Sequence, residues 1–216
     1  DIADSDGIFS IISDELADGN YSLTVKAADV LGNISDASAG LAIEIDTTPP
    51  SIPAIITEGT LTNEETQTIT GTSIVGTTIT LFNGDTSLGT TTADSDGNFS
   101  FTETLSEGEN VLTVTATDAA GNESAASSEI TIEIDTIAPE APIITTTTSA
   151  TNVTTPTIEG TAEAGSTVEL FNGDTSLGTA TADVDGNFSI TPTLGDSDYV
   201  LTVTATDEAG NTSSPS

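Results

Sequence analysis

Cysteine, methionine, tryptophan and histidine are all missing from this chain, and lysine and arginine together contribute a single residue, Lys26. Without cysteine no disulfide can brace the fold. Without cysteine or histidine the usual zinc and thiol chemistries are excluded. The lack of basic side chains leaves 35 Asp and Glu almost unopposed, for a formal charge of −34. Nucleic acid and anionic membrane surfaces would be repelled, so neither is an expected partner, and metal cations are the natural counter-charge. No apolar run approaches the length needed to span a membrane, so direct membrane insertion is not expected, and no signal peptide opens the chain. The parts an enzyme needs are also missing: there is no nucleophile–base pair and no cationic group to stabilise an anionic transition state. The sequence is therefore read as non-catalytic.

What is present is repetition. The text T-A-T-D-x-A-G-N occurs at 115–122 and 204–211, and a related turn lies at Asp29 to Asn33. Asp29, Asp118 and Asp207 share one period, since 118 − 29 and 207 − 118 both give 89, and Asp46 and Asp135 repeat it. A period of this length is the mark of a tandem array of domains, each large enough for its own core. We divide the chain into the back half of a repeat at 1–46, a complete repeat at 47–135, and a repeat at 136–216 that lacks its last strand. The sequence thus reads as a window on a longer array. Neither the second nor the third repeat has a lysine, so a Lys–Asn cross-link is excluded from both.

Within each repeat the apolar residues alternate at period two, as in half-buried strands, and helical periodicity is absent. In the first segment this pattern predicts a strand with Phe9 and Ile11 on one face. Two more should follow, one in which Leu23, Val25 and Ala27 alternate with Ser22, Thr24 and Lys26, and one with Leu41, Ile43 and Ile45 inward. In the complete repeat it predicts seven strands: 53–58 (an edge strand, to judge by Pro53), 67–71, 77–82, 87–93, 98–102, 111–118 and 129–134. Asn83-Gly84 predicts a type I′ hairpin turn with both residues at its centre. Seven short strands in about ninety residues predict an all-β fold, a series of immunoglobulin-like sandwiches of roughly 35–45 Å each. Tyr21 and Tyr199 fall where a tyrosine corner would lie, with Asn110 in their place in the middle repeat.

If strand direction alternates, the loops after the second, fourth and sixth strands return to the end where the linker enters. That places Asp46, Asp94, Asp96 and Asp118 at one joint, and Asp135, Asp183, Asp185 and Asp207 at the next, with Glu163 nearby. Four carboxylates so close would repel or take up protons. Ca²⁺, which accepts six to eight oxygen ligands, suits them better than Mg²⁺. The plainer reading is that Asp-x-Asp-Gly and Asp-x-Ala-Gly-Asn are turn formers, because Asp and Asn bond their own backbone and Gly supplies positive φ. The Asn-x-Ser/Thr sequons, such as Asn98-Phe99-Ser100, read as by-products of a Thr/Ser-rich strand code. The threonine-rich outer faces, including 145–148, carry no aromatic platform for sugars and fit strand propensity better than sugar or ice binding.

Four segments carry a resemblance to a known family: D-T-x-x-P at the joint, T-P-T-I-E-G-T-A-E-A-G-S-T-V at 155–168, A-D-x-D-G-N-F-S at 93–100 and 182–189, and T-A-T-D-x-A-G-N. Together they resemble the tandem bacterial Ig-like repeats of giant secreted adhesins, of the RTX and biofilm-associated type. The middle repeat departs from the pattern at Ser73-Ile74-Val75-Gly76. The resemblance implies an extracellular or cell-surface location and an elongated stalk with calcium at its joints. Expected partners are calcium ions, neighbouring repeats of the same chain and other copies of itself. The alternative reading is a subunit of an extracellular filament or biofilm matrix, built by lateral packing or strand exchange.

Overall fold

The structure is a computed structural model that describes residues 2–147 and 150–216. Thr148, the last of the threonines singled out at 145–148, therefore lies outside the described residues, as does Asp1. Every element among the described residues is a β-strand.

The middle repeat contains β3 (Ala54–Ile55), β4 (Leu61–Thr62), β5 (Thr66–Thr72), β6 (Thr78–Asn83), β7 (Thr86–Thr92), β8 (Asn98–Thr104), β9 (Gly108–Thr117) and β10 (Ile130–Ile134). They form two sheets, one ordered β3-β5-β8 and one ordered β4-β10-β9-β6-β7. The first strand expected at 53–58 is cut down to β3, and a second short strand, β4, follows beyond that range. One pairs antiparallel with β5, and the other crosses to the opposite sheet and pairs parallel with β10. The inner faces meet in one apolar cluster that includes Ile69, Ile79, Leu81, Leu112, Val114 and Ile132, all fully buried. Phe99 and Phe101 pack edge to face with ring centres 6.0 Å apart. Gly71 sits opposite Phe99 in the ladder, and a Cβ there would collide with the Phe99 ring and the Ala54 carbonyl. Glycine is what lets the aromatic lie across its neighbour.

The third repeat repeats this plan with β11 (Ile143–Ile144), β12 (Ile158–Thr161), β13 (Thr167–Asn172), β14 (Thr175–Thr181), β15 (Asn187–Ile190) and β16 (Leu201–Thr206). Its core is a second, separate cluster around Ile158, Val168, Leu170 and Val203. Among the described residues of the first segment only β1 (Gly19–Leu23) and β2 (Leu41–Ile45) form, and they pair antiparallel. The strand expected around Phe9 and Ile11 is absent, and both side chains are exposed. Its counterpart β8 is paired along its whole length with β5, and Phe9 and Ile11 have no such pairing among the described residues. Leu41 is likewise 64% exposed, because no second sheet covers the face it was expected to bury.

The Asn-Gly hairpin also differs from expectation. Asn83 pairs with Thr86, so the two turn residues are Gly84 and Asp85. Gly84 has φ 55°, and no residue other than glycine has positive φ among those described. Glycine alone at the first central position is the requirement of a type II′ turn. Asn83 instead ends β6, where its side chain accepts from Val111 N–H (3.1 Å) and donates to Asn110 Oδ1 (2.8 Å). Asn110 occupies the corner position. It donates to the Ser106 carbonyl four residues back, at 2.8 Å, as the Tyr21 hydroxyl donates to Ala17.

Between β9 and β10 the chain runs beside β9 through a serine ladder. Ser124 Oγ accepts from Ala116 N–H (3.0 Å) and Ser127 Oγ accepts from Val114 N–H (3.1 Å). The third repeat does the same with Ser213 and Ser216, and the first with Ser35 and Ser38. In the middle and third repeats these hydroxyls satisfy amides that would cost about 1–3 kcal/mol if left buried and unpaired.

Candidate functional site at the repeat joints

The register of the middle repeat decides which loops share an end. Thr72 pairs with Asn98, and Thr78 pairs with both Thr92 and Thr117. The turns at 73–77, 93–97 and 118–122 therefore lie together, on the end where the linker arrives. Ser73 N–H donates to the Gly97 carbonyl at 2.8 Å, closing the first two turns on each other.

The aspartates at that end are engaged locally. Asp94 Oδ1 accepts from the N–H groups of Asp96 and Asn98, both at 2.9 Å. Asp183 does the same with Asp185 and Asn187. Asp118 Oδ1 accepts from Ala120 and Asn122 N–H, and Asp207 Oδ1 from Gly210 and Asn211 N–H. Asp46 and Asp135 each accept from an N–H two residues on, in Thr48 and Ile137. Asp96 and Asp185 are exposed at the turn tips.

Sharing an end does not amount to sharing an ion. Among the described residues no group of three or more carboxylates is placed to hold a metal, so the expected four-carboxylate clusters, Asp46/Asp94/Asp96/Asp118 and Asp135/Asp183/Asp185/Asp207, do not form. The sheet geometry explains this. β9 and β7 flank β6 on opposite sides, which separates Asp118 from Asp94 by two strand spacings, roughly 10 Å. The first oxygen of each turn aspartate is also already taken by backbone amides. Each of Asp94, Asp118, Asp183 and Asp207 is thus engaged first with its own turn.

The joint is instead held by side chains the sequence reading passed over. Asn122 Nδ2 donates to the backbone carbonyl of Asp46 (3.0 Å) and to Asp118 Oδ2 (3.0 Å). At the next joint Asn211 Nδ2 donates to the Asp135 carbonyl (2.7 Å) and to Asp207 Oδ2 (2.9 Å). One amide thus bridges a negative turn to the incoming linker. The linker is gripped from the other side as well. Glu107, of the preceding repeat, accepts from Thr136 N–H (3.1 Å) and Thr136 Oγ1–H (2.8 Å). Asp18 accepts from the N–H and hydroxyl of Thr47 and from the hydroxyl of Thr48. Each D-T linker is therefore clamped between an acid of one repeat and an asparagine of the next. Asn33, Asn122 and Asn211 obey the same 89-residue period as the aspartates. That period is the signal by which they could have been found.

Hydrogen bonding favours the ionised form of Asp18, Asp118 and Asp207. The Thr47 and Thr48 hydroxyls keep the Asp18 carboxyl below the usual Asp range, and the Asn122 amide does so for Asp118. At Asp207 burial is the largest single influence and pushes upward, but the side-chain and backbone donors of Asn211, with Gly210 and Ala209 N–H, together outweigh it. A depressed carboxyl contributes stability that is present above its unfolded value, about 3.9, and is lost as pH falls through the folded one. Asp118→Asn should therefore melt below the parent chain at neutral pH, with the gap closing as pH falls below about 4. Thermal melts of both chains across that range check this, and the comparison cancels the general relief of charge repulsion that acid brings.

The profile of the family described as Bacterial Ig-like domain matches residues 2–47, 54–136 and 144–216. Exoglucanase B of Cellulomonas fimi is 34% identical over 184 residues, covering 79% of this chain. Exoglucanase A of the same organism is 36% identical over 231 residues, covering 91%. The chain spans only 16% and 24% of those relatives' own lengths. Among solved structures, the fibronectin(III)-like modules of Clostridium thermocellum CbhA overlay at TM-score 0.45 with 18% identity, covering 75% of this chain and 89% of theirs. The BSP domain of a biofilm associated protein overlays at 0.31 with 25% identity, covering 78% of this chain and 27% of its own.

Proposed function

Because this chain belongs to the bacterial Ig-like domain family, matched over all three of its segments, we propose that it is a non-catalytic spacer. It would hold neighbouring parts of a secreted or surface protein at a set separation and orientation. The observation that carries this reading is the two-sided clamp on each linker, repeated at both joints. A flexible tether would need no such contacts, and a Gly/Ser-rich linker would serve it better. The stalk of a surface adhesin and the connector between modules of a multidomain enzyme make the same physical demand, and the family is compatible with either. The acidic surface suits an extracellular setting, where it keeps such a chain soluble and separate from its copies. In this reading the clamp orders the joint without a cation, and calcium acts only by screening carboxylates.

Small-angle X-ray scattering with and without millimolar Ca²⁺ tests the proposal. A spacer of this kind gives a monomer of the same maximum dimension in calcium and in EDTA. Contraction in EDTA would restore the calcium-dependent joint, and growth into larger particles would favour a filament subunit.

A further inference from the structure

We infer that the middle repeat is built to resist stretching along the chain, through the parallel pairing of its first and last strands. Leu61 and Thr62 of β4 lie in register with Glu133 and Ile134 of β10, and the two strands run the same way. Glu133 N–H donates to the Thr60 carbonyl (2.8 Å) and Asp135 N–H to the Thr62 carbonyl (3.0 Å). Tension enters the repeat ahead of β4 and leaves it after β10. With the strands parallel, that tension pulls β4 and β10 in opposite directions along their shared axis. The bonds between them are loaded together and must break together. An antiparallel terminal pair would open one bond at a time.

Two local features serve this pairing. The first strand is divided, so that β4 can leave the sheet of β3 and β5 and reach β10. Gly59, just before β4, lies against the backbone of Thr131, where a Cβ would collide with the Thr131 carbonyl. A side chain at that position would hold the two strands apart. The inference rests on the spacer reading only in assuming that tension runs end to end.

Single-molecule pulling on the full chain tests it, and the absence of cysteine allows handles to be placed at will. Pulling through Ser51→Cys and Ala138→Cys loads β4 against β10. Pulling through Asp85→Cys and Ala138→Cys starts from two points at one end of the sheet and peels the strands. The first geometry should need the higher unfolding force. Glu133→Pro, which removes the donor to Thr60 and leaves the Asp135 donor in place, should abolish that high-force event in the first geometry and leave the second unchanged. Equal forces in the two geometries would overturn the inference, as would a first-geometry force indifferent to Glu133→Pro. Either result would leave the clamped joints, and the spacer reading, untouched.

Discussion

Leu81→Ala should lower the melting transition of the middle repeat by about 10–20 °C and leave that of the third repeat where it was. Leu170→Ala should do the reverse. Both leucines have no exposed surface, and each sits in its own apolar cluster. Truncating a buried leucine removes its transfer energy and leaves a cavity, for a cost of about 2–5 kcal/mol. In a domain of this size each kcal/mol moves the midpoint by about 4–8 °C. The two residues stand in identical local text, L-F-N-G-D-T-S-L-G-T. A difference in which transition moves can therefore come only from which core the residue belongs to. Differential scanning calorimetry of the two variants reads the result, and a common shift of one transition in both would mean that the repeats unfold as a single unit.

Asn211→Ala should lower the stability of the third repeat by about 1–3 kcal/mol, and Asn122→Ala should do less to the middle one. Asn211 is 8% exposed and its amide satisfies both the Asp207 carboxylate and the Asp135 carbonyl. Losing it leaves two acceptors without a donor at a nearly buried site. Asn122 makes the same pair of bonds in a more open setting. Asn211→Asp is the sharper change. It keeps the shape but puts a carboxylate against the Asp207 carboxylate, and repulsion replaces attraction. Thermal melts rank the three variants: Asn211→Asp lowest, then Asn211→Ala, then Asn122→Ala. Equal melts for the asparagine variants and the parent would mean that the amides hold nothing.

The fold was legible because it is written in short-range pattern. Alternation at Ile79 and Leu81, or at Leu112, Val114 and Ala116, marks a strand with one buried face whatever surrounds it, and the 89-residue period divides the text into repeats. What was not legible depended on partners far along the chain. Phe9 and Ile11 alternate as well as Phe99 and Phe101 do, yet only the latter pair lies in a strand paired with another, because pairing is a long-range property that alternation does not contain. The hairpin at Gly84 shifted by one residue because the Asn83 side chain is used by Val111 and Asn110, a contact no local rule contains. The joint was half legible. The aspartates were assigned to the correct end of the repeat, because strand direction fixes that. Beside Asp118 and Asp207 a neutral asparagine bridges the turn to the linker, a role that charge alone does not signal. An amide that donates to a carboxylate and a carbonyl at once ties the turn to the linker through hydrogen bonds.

That claim is tested most directly by the spread of distances across a joint. Spin labels on Asp85→Cys and Asp174→Cys, two exposed turn positions in adjacent repeats, report it by pulsed electron resonance in EDTA. The clamp predicts a narrow distribution for the parent chain without calcium, broadened by Asn211→Ala. A broad distribution that narrows only when Ca²⁺ is added, and is indifferent to Asn211, would contradict it.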